Sequence, residues 1–262
     1  LPHHKPLRRP RIRSHFHTTS RFASLRSAAT MPAKKVLLVS TSASFMGGNP
    51  TGLWLAELAE PYYILKEAGL EVTLASIAGG AVPIDAGSCK GDFFTVEAKR
   101  FMHDADAIGA LGHTARLVAS MAEDFDCLYL AGGHGCCVDF VGEPGAELKA
   151  CVEKMYAAGK VVAADCHGPM GLIEPTKPDG TPLVAGLEVC AFTNTEEAQA
   201  GATDWVKANS VFMEDEFKAK GGTFKEADPW TSNVCVAGNL ITAQNPQSAT
   251  ACAQAVVAAM NF

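Results

Sequence analysis

The chain reads as an α/β protein with a doubly wound, mostly parallel sheet sandwiched by helices, and three observations predict this. From Met31 onward, short runs rich in Val, Leu and Ile alternate with helical stretches, the order that builds a parallel sheet covered on both faces. Two of those runs, LYLAGGHG and VVAADCHGP, end abruptly in turn-forming residues, as strands do at the ligand-binding edge of such sheets. The 262 residues are 48% apolar, enough to bury one full core, and no linker divides them.

The elements follow in order. Strands are expected at Val36 to Ser40, Val72 to Ser76, Cys127 to Ala131, Val161 to Asp165 and Val189 to Phe192, with a late pair at Val234 to Ala237 and Leu240 to Ala243. Helices are expected at Leu53 to Ala68, at Glu147 to Ala158 and, in an Ala-rich stretch, at Ser248 to Met260. Residues 79–122 are longer than a standard crossover and are expected to form a small cap beside the mouth of the site. Residues 31–262 thus read as one domain.

Residues 1–30 hold seven Lys/Arg and no acid, a charge of +7, whereas the remainder carries −13. This basic leader or disordered tail fits a mitochondrial or plastid transit peptide, or a segment ahead of an ordinary cytosolic start at Met31. The acidic body offers nucleic acid no basic face. No apolar run is long enough for a membrane-spanning helix. The nine cysteines lie mostly in apolar runs (Cys127, Cys151, Cys190, Cys235, Cys252), which fits free core thiols in a reducing, cytoplasmic setting. No metal is expected: no C-x-x-C pair occurs, and Cys136 and Cys137 lack the second pair of ligands that structural zinc requires.

The chemistry centres on Cys166, where a buried-type strand ends and Gly168 and Pro169 permit a sharp turn into a helix. A helix N-terminus at that turn would favour the thiolate and lower the thiol pKa. His167 follows as an acid–base group, while His103 and His113, in the cap segment, read as surface or structural residues. Gly132, Gly133, His134 and Gly135 end another strand, where glycines let backbone N–H groups approach a ligand; alone this is a common turn, and it matches no phosphate or dinucleotide motif. Glu57 sits among Trp54, Leu55, Leu58 and Ala59, so burial is expected to raise its pKa into the range useful for proton transfer; Glu60 is expected to face water.

With these residues in place, KVLLVSTSAS, TGLWLAE, LAGGHG, VVAADCHGP, FTNTEE and ITAQNPQSA occur in the order found in the ThiJ/PfpI superfamily. From about Lys35 to the C-terminus the chain resembles its glutathione-independent glyoxalase branch, also called D-lactate dehydratases and known as stress-inducible chaperone-like proteins. The resemblance implies a flavodoxin-like fold, a homodimer and cofactor-free conversion of methylglyoxal, a small 2-oxoaldehyde, to lactate through a cysteine hemithioacetal. It implies Cys166 as nucleophile, His167 as its acid–base partner, Glu57 as proton shuttle and Glu197 as the acid orienting the histidine, with adjacent Glu196 as the alternative. Gly133 and the His167 N–H match the oxyanion donors. Asp165 departs from the pattern, which commonly has an apolar residue there; it is expected to point away from the thiol or to be hydrogen-bonded.

Two other readings compete. One is a holdase chaperone with Cys166 as a redox sensor; the other is a deglycase or peptidase-like cysteine hydrolase.

Overall fold

The computed structural model describes residues 33–260; the basic leader or tail expected over residues 1–30 lies outside the described residues. Seven strands form one sheet in the order Val234–Ala237, Leu240–Ala243, Val161–Asp165, Cys127–Leu130, Lys35–Ser40, Glu71–Ser76, Ala115–Arg116. All neighbours run parallel except the Val234–Ala237 edge, which pairs antiparallel with Leu240–Ala243 through a turn at Gly238 and Asn239.

The strands are apolar on both sides, as strands covered on both faces must be. Leu37, Val39, Leu128, Leu130, Val162 and Ala164 face one core, which the Ala146–Ala157 helix covers with Leu148, Cys151, Val152 and Met155. Val36, Leu38, Tyr129 and Ala163 face the other, beneath the Leu55–Glu67, Val96–His103, Ala105–Gly112 and Ala249–Ala259 helices. From Lys35–Ser40 the chain adds strands in one direction, then returns to add Cys127–Leu130 on the opposite side. That reversal opens a crevice at the carboxyl ends of Lys35–Ser40 and Cys127–Leu130, the place where such sheets bind ligands.

Three expectations need correction. Residues 189–192 do not form a strand of the main sheet: only Glu188–Val189 is extended, and it pairs with Thr223–Phe224. Beyond it the backbone donors go elsewhere, Cys190 N to Thr242 Oγ1 at 2.9 Å and Phe192 N to Cys166 O at 3.0 Å, which draws Phe192 to the site. Glu60 does not face water; the Ala249–Ala259 helix packs on this part of its own helix, and Glu60 accepts from Thr250 Oγ1 at 2.7 Å. Third, residues 79–122 are not only a cap: they include the two helices Val96–His103 and Ala105–Gly112 and the edge strand Ala115–Arg116, whose main-chain groups complete the sheet, and of this segment Phe93 reaches the crevice. No described helix is long and apolar enough to cross a membrane.

Candidate active site

Cys166 follows its strand with a φ of 52°, a left-handed conformation that L residues seldom adopt and that tends to persist where surrounding structure enforces it. Its N–H donates to Ala243 O at 2.9 Å and its carbonyl accepts from Phe192 N, so neighbours on both sides fix the turn. The chain then enters a 3₁₀ turn, Gly168–Leu172, rather than a full α-helix. The thiol is 3% exposed and opens onto a cavity of about 460 Å³.

Sγ lies 3.3 Å from His167 Nδ1, and His167 Nε2 lies 2.7 Å from Glu197 Oε1. His134 brings its own Nε2 to the second oxygen, Glu197 Oε2, at 3.1 Å, with the two imidazole centroids 3.9 Å apart. A carboxylate only accepts, so each Nε2 carries the proton; His167 Nδ1 is then the bare nitrogen turned toward the thiol. Burial and the neighbouring His134 push the His167 pKa down despite Glu197, which keeps the ring neutral and able to take a proton. Burial opposes ionisation of Glu197, but the two histidines outweigh it and hold the carboxyl at about 2.

Of the two adjacent acids, Glu197 therefore meets His167. Glu196 completes a capping box with Thr193 and accepts from Asn245 Nδ2 at 2.8 Å, a structural post.

Glu57 is fully buried, and neither carboxyl oxygen has a hydrogen-bond partner among the described residues. Burial, then the charge of Asp165, pushes its pKa well above the ordinary 4.5; interaction with the Cys166 thiol works the other way. Gly132 makes room for it: a Cβ there would overlap Glu57 Oε2 and fall 2.6 Å from Asp165 O. Gly133, at φ 115°, passes so close to Gly52 O and Trp54 N that no side chain fits. The N–H groups of Gly133 and His167 donate to no acceptor among the described residues, and both residues line the cavity.

The expected thiol pKa is reversed. Burial, then Glu57, then Asp165 push Cys166 well above 9.0, outweighing the short turn that follows it. The thiol is therefore held in its protonated form, and the bare His167 Nδ1 lies 3.3 Å away, within reach of that proton. Asp165 is buried and hydrogen-bonded: Tyr129 Oη donates to Oδ2 at 2.7 Å and Gly132 N to Oδ1 at 3.0 Å, while burial raises its pKa to about 8. Asp165→Ala strands both donors in the core and should cost about 2–4 kcal/mol, whereas Asp165→Asn keeps an acceptor for Gly132 and should cost much less. Denaturant titration checks this, and equal losses would refute the anchoring role.

His103 and His113 are exposed and turn Nδ1 to the carbonyls of Lys99 and Gly109, away from the site. Cys136 and Cys137 are buried free thiols. Among the described residues, His134, His167 and Glu197 have ligand atoms within 4.8 Å of one another, a set a divalent transition metal could accept; in this arrangement they hydrogen-bond one another. Sequence reasoning missed His134, although it stands inside GGHG on the same sheet edge. It also missed the aromatic wall of Trp54, Phe93, Phe192, Trp205 and Trp230, residues too scattered along the chain to form a motif.

A doubly wound sheet carrying a cysteine on a strained elbow, beside an imidazole held by a carboxylate, defines a class of cysteine-centred α/β proteins. The chain belongs to the DJ-1/PfpI family, whose model matches residues 51–259. It is 31% identical to glyoxalase 3 of Candida albicans over 86% of this chain and 98% of that protein. It is likewise 31% identical to a glutathione-independent glyoxalase of Saccharomyces cerevisiae, over 84% of this chain and 94% of that one. Among solved structures, glyoxalase III of Candida albicans superposes with a TM-score of 0.78 at 31% identity, covering 86% of this chain and 97% of that one. A rapid encystment protein of Francisella tularensis superposes with a TM-score of 0.81 at 34% identity, covering 87% of this chain and all of that one.

Proposed function

We propose that the protein is a glutathione-independent glyoxalase that hydrates and rearranges methylglyoxal to lactate, a lyase reaction that detoxifies reactive 2-oxoaldehydes. The observation that carries the reading is the Cys166 thiol at the cavity floor, with the bare His167 Nδ1 3.3 Å from its sulfur and the buried Glu57 carboxyl beside it. The names of the relatives point the same way.

Each group has a step suited to its state. His167 Nδ1 takes the thiol proton as Sγ bonds the aldehyde carbon, and Glu197 stabilises the resulting imidazolium. Glu57, whose burial favours the protonated form, gives its proton to the aldehyde oxygen and so becomes a carboxylate. It then carries the C1 proton to C2 through an ene-diolate, whose charge the Gly133 and His167 N–H groups receive. Water cleaves the thioester; of its two protons and the one on His167, one restores the thiol, one returns to Glu57 and one leaves with lactate, so His167 ends neutral again.

The test is direct: purified protein, methylglyoxal and no glutathione, with lactate quantified. Lactate formed at a rate proportional to enzyme supports the reading, and its absence sinks it. The reading extends to a homodimer in the cytoplasm, or in a mitochondrion or plastid if residues 1–30 direct import. Sedimentation and imaging of the tagged full chain check these points.

A further inference from the structure

We propose that the cavity selects uncharged 2-oxoaldehydes bearing a flat apolar substituent, arylglyoxals, over methylglyoxal; the inference rests on the glyoxalase reading and names the substrate class of the same site. At about 460 Å³ the cavity falls in the size range that encloses drug-sized ligands, far beyond the needs of a three-carbon aldehyde.

Its lining supplies the selection. Trp54, Phe93, Phe192, Trp205 and Trp230 surround the space above Cys166, so all three tryptophans of the chain stand in one wall. Their rings are set edge to face: Trp54 and Phe93 at 5.0 Å and 82°, Phe192 and Trp230 at 5.6 Å and 70°. Such a wall presents both faces and edges to an incoming ring.

Two of the tryptophans are also tethered by hydrogen bonds. Trp205 Nε1 donates to Met46 O and Trp230 Nε1 to Gln199 Oε1, each at 2.6 Å. Trp230 holds a left-handed φ of 62°, and its backbone N–H donates to Glu196 Oε1 at 2.9 Å. Strained backbone over an open cavity is characteristic of ligand clamps. None of the lining residues is Lys, Arg, Asp or Glu, so a phosphate, carboxylate or ammonium substituent would lose its hydration without gaining a counter-ion.

For phenylglyoxal the chemistry balances as for methylglyoxal. Sγ adds to the aldehyde carbon, the C1 proton moves to C2, and one water releases mandelate and a proton.

The experiment measures kcat/KM of the full-length protein for phenylglyoxal, read as mandelate, and for methylglyoxal, read as lactate. The expected ratio is about tenfold or more in favour of phenylglyoxal. Phe93→Ala, a truncation at a partly exposed position that leaves the cores intact, should lower that ratio at least about threefold. A preference for methylglyoxal, or a ratio unmoved by Phe93→Ala, overturns the proposal. Turnover of neither compound overturns the glyoxalase reading instead, and tryptophan fluorescence then decides on the cavity. Saturable quenching by acetophenone, weakened in Phe93→Ala, upholds an aryl site; quenching without saturation rejects it.

Discussion

Cys166→Ser is expected to abolish lactate formation from methylglyoxal, a fall of about 10⁴-fold or more, while leaving the fold intact. Serine fits the site: the position is small, and the φ of 52° penalises serine no more than cysteine. What changes is the proton. His167 Nδ1 can take one from a thiol that begins well above 9.0, but a hydroxyl holds its proton far more tightly, and the ring is itself pushed toward the weaker-base side by burial. Product quantification and a thermal melt settle it together. Retained turnover in the serine variant would move the nucleophile elsewhere, and one of the eight other cysteines, all free, would have to be sought.

Glu57→Gln should lower turnover by about 10²–10⁴-fold and at the same time make the protein more stable above neutral pH. Burial raises the folded pKa of Glu57 above the ordinary 4.5, so folding holds a proton that the unfolded chain releases. That contribution is complete below pH 4.5 and is lost as pH rises toward the folded value. Glutamine has no proton to lose. The variant should therefore melt a few degrees higher at pH 8, at roughly 2–4 °C per kcal/mol for a chain of this size, with the gap shrinking toward pH 4.5. Thermal melts across that range, paired with the lactate assay, test both halves. Full turnover refutes the proton-carrier role, and a lower melting point at pH 8 refutes the raised pKa of the buried carboxyl.

Much of the sheet was legible because its strands are runs buried on both faces, and a run such as KVLLVS carries that fact in its own composition. The Val189–Phe192 segment misled because its apolar residues are buried for another reason: Cys190 and Phe192 spend their N–H groups on Thr242 and Cys166, not on a strand. Cys166, His167 and Glu57 were readable since each stands in a short motif with a local cause. His134 was hidden within a glycine turn, because its partners His167 and Glu197 lie 33 and 63 residues away. The thiol pKa was misread for a similar reason. A helix terminus is visible in sequence, whereas two buried acids beneath the sulfur become visible only once Glu57 and Asp165 are folded together.

The elbow's two backbone tethers have a consequence for synthesis. Cys166 is held by Phe192 on one side and by Ala243 on the other, and the Leu240–Ala243 strand joins the sheet last in chain order. Domains fold as their residues emerge from the ribosome, and contacts of long sequence separation close late. A nascent chain that already displays Cys166 thus lacks the partner that bends it into its reactive shape until residue 243 has cleared the exit tunnel. A nascent chain not yet extended to residue 243 carries Cys166 without its elbow, and the strained turn forms only once that strand is in place.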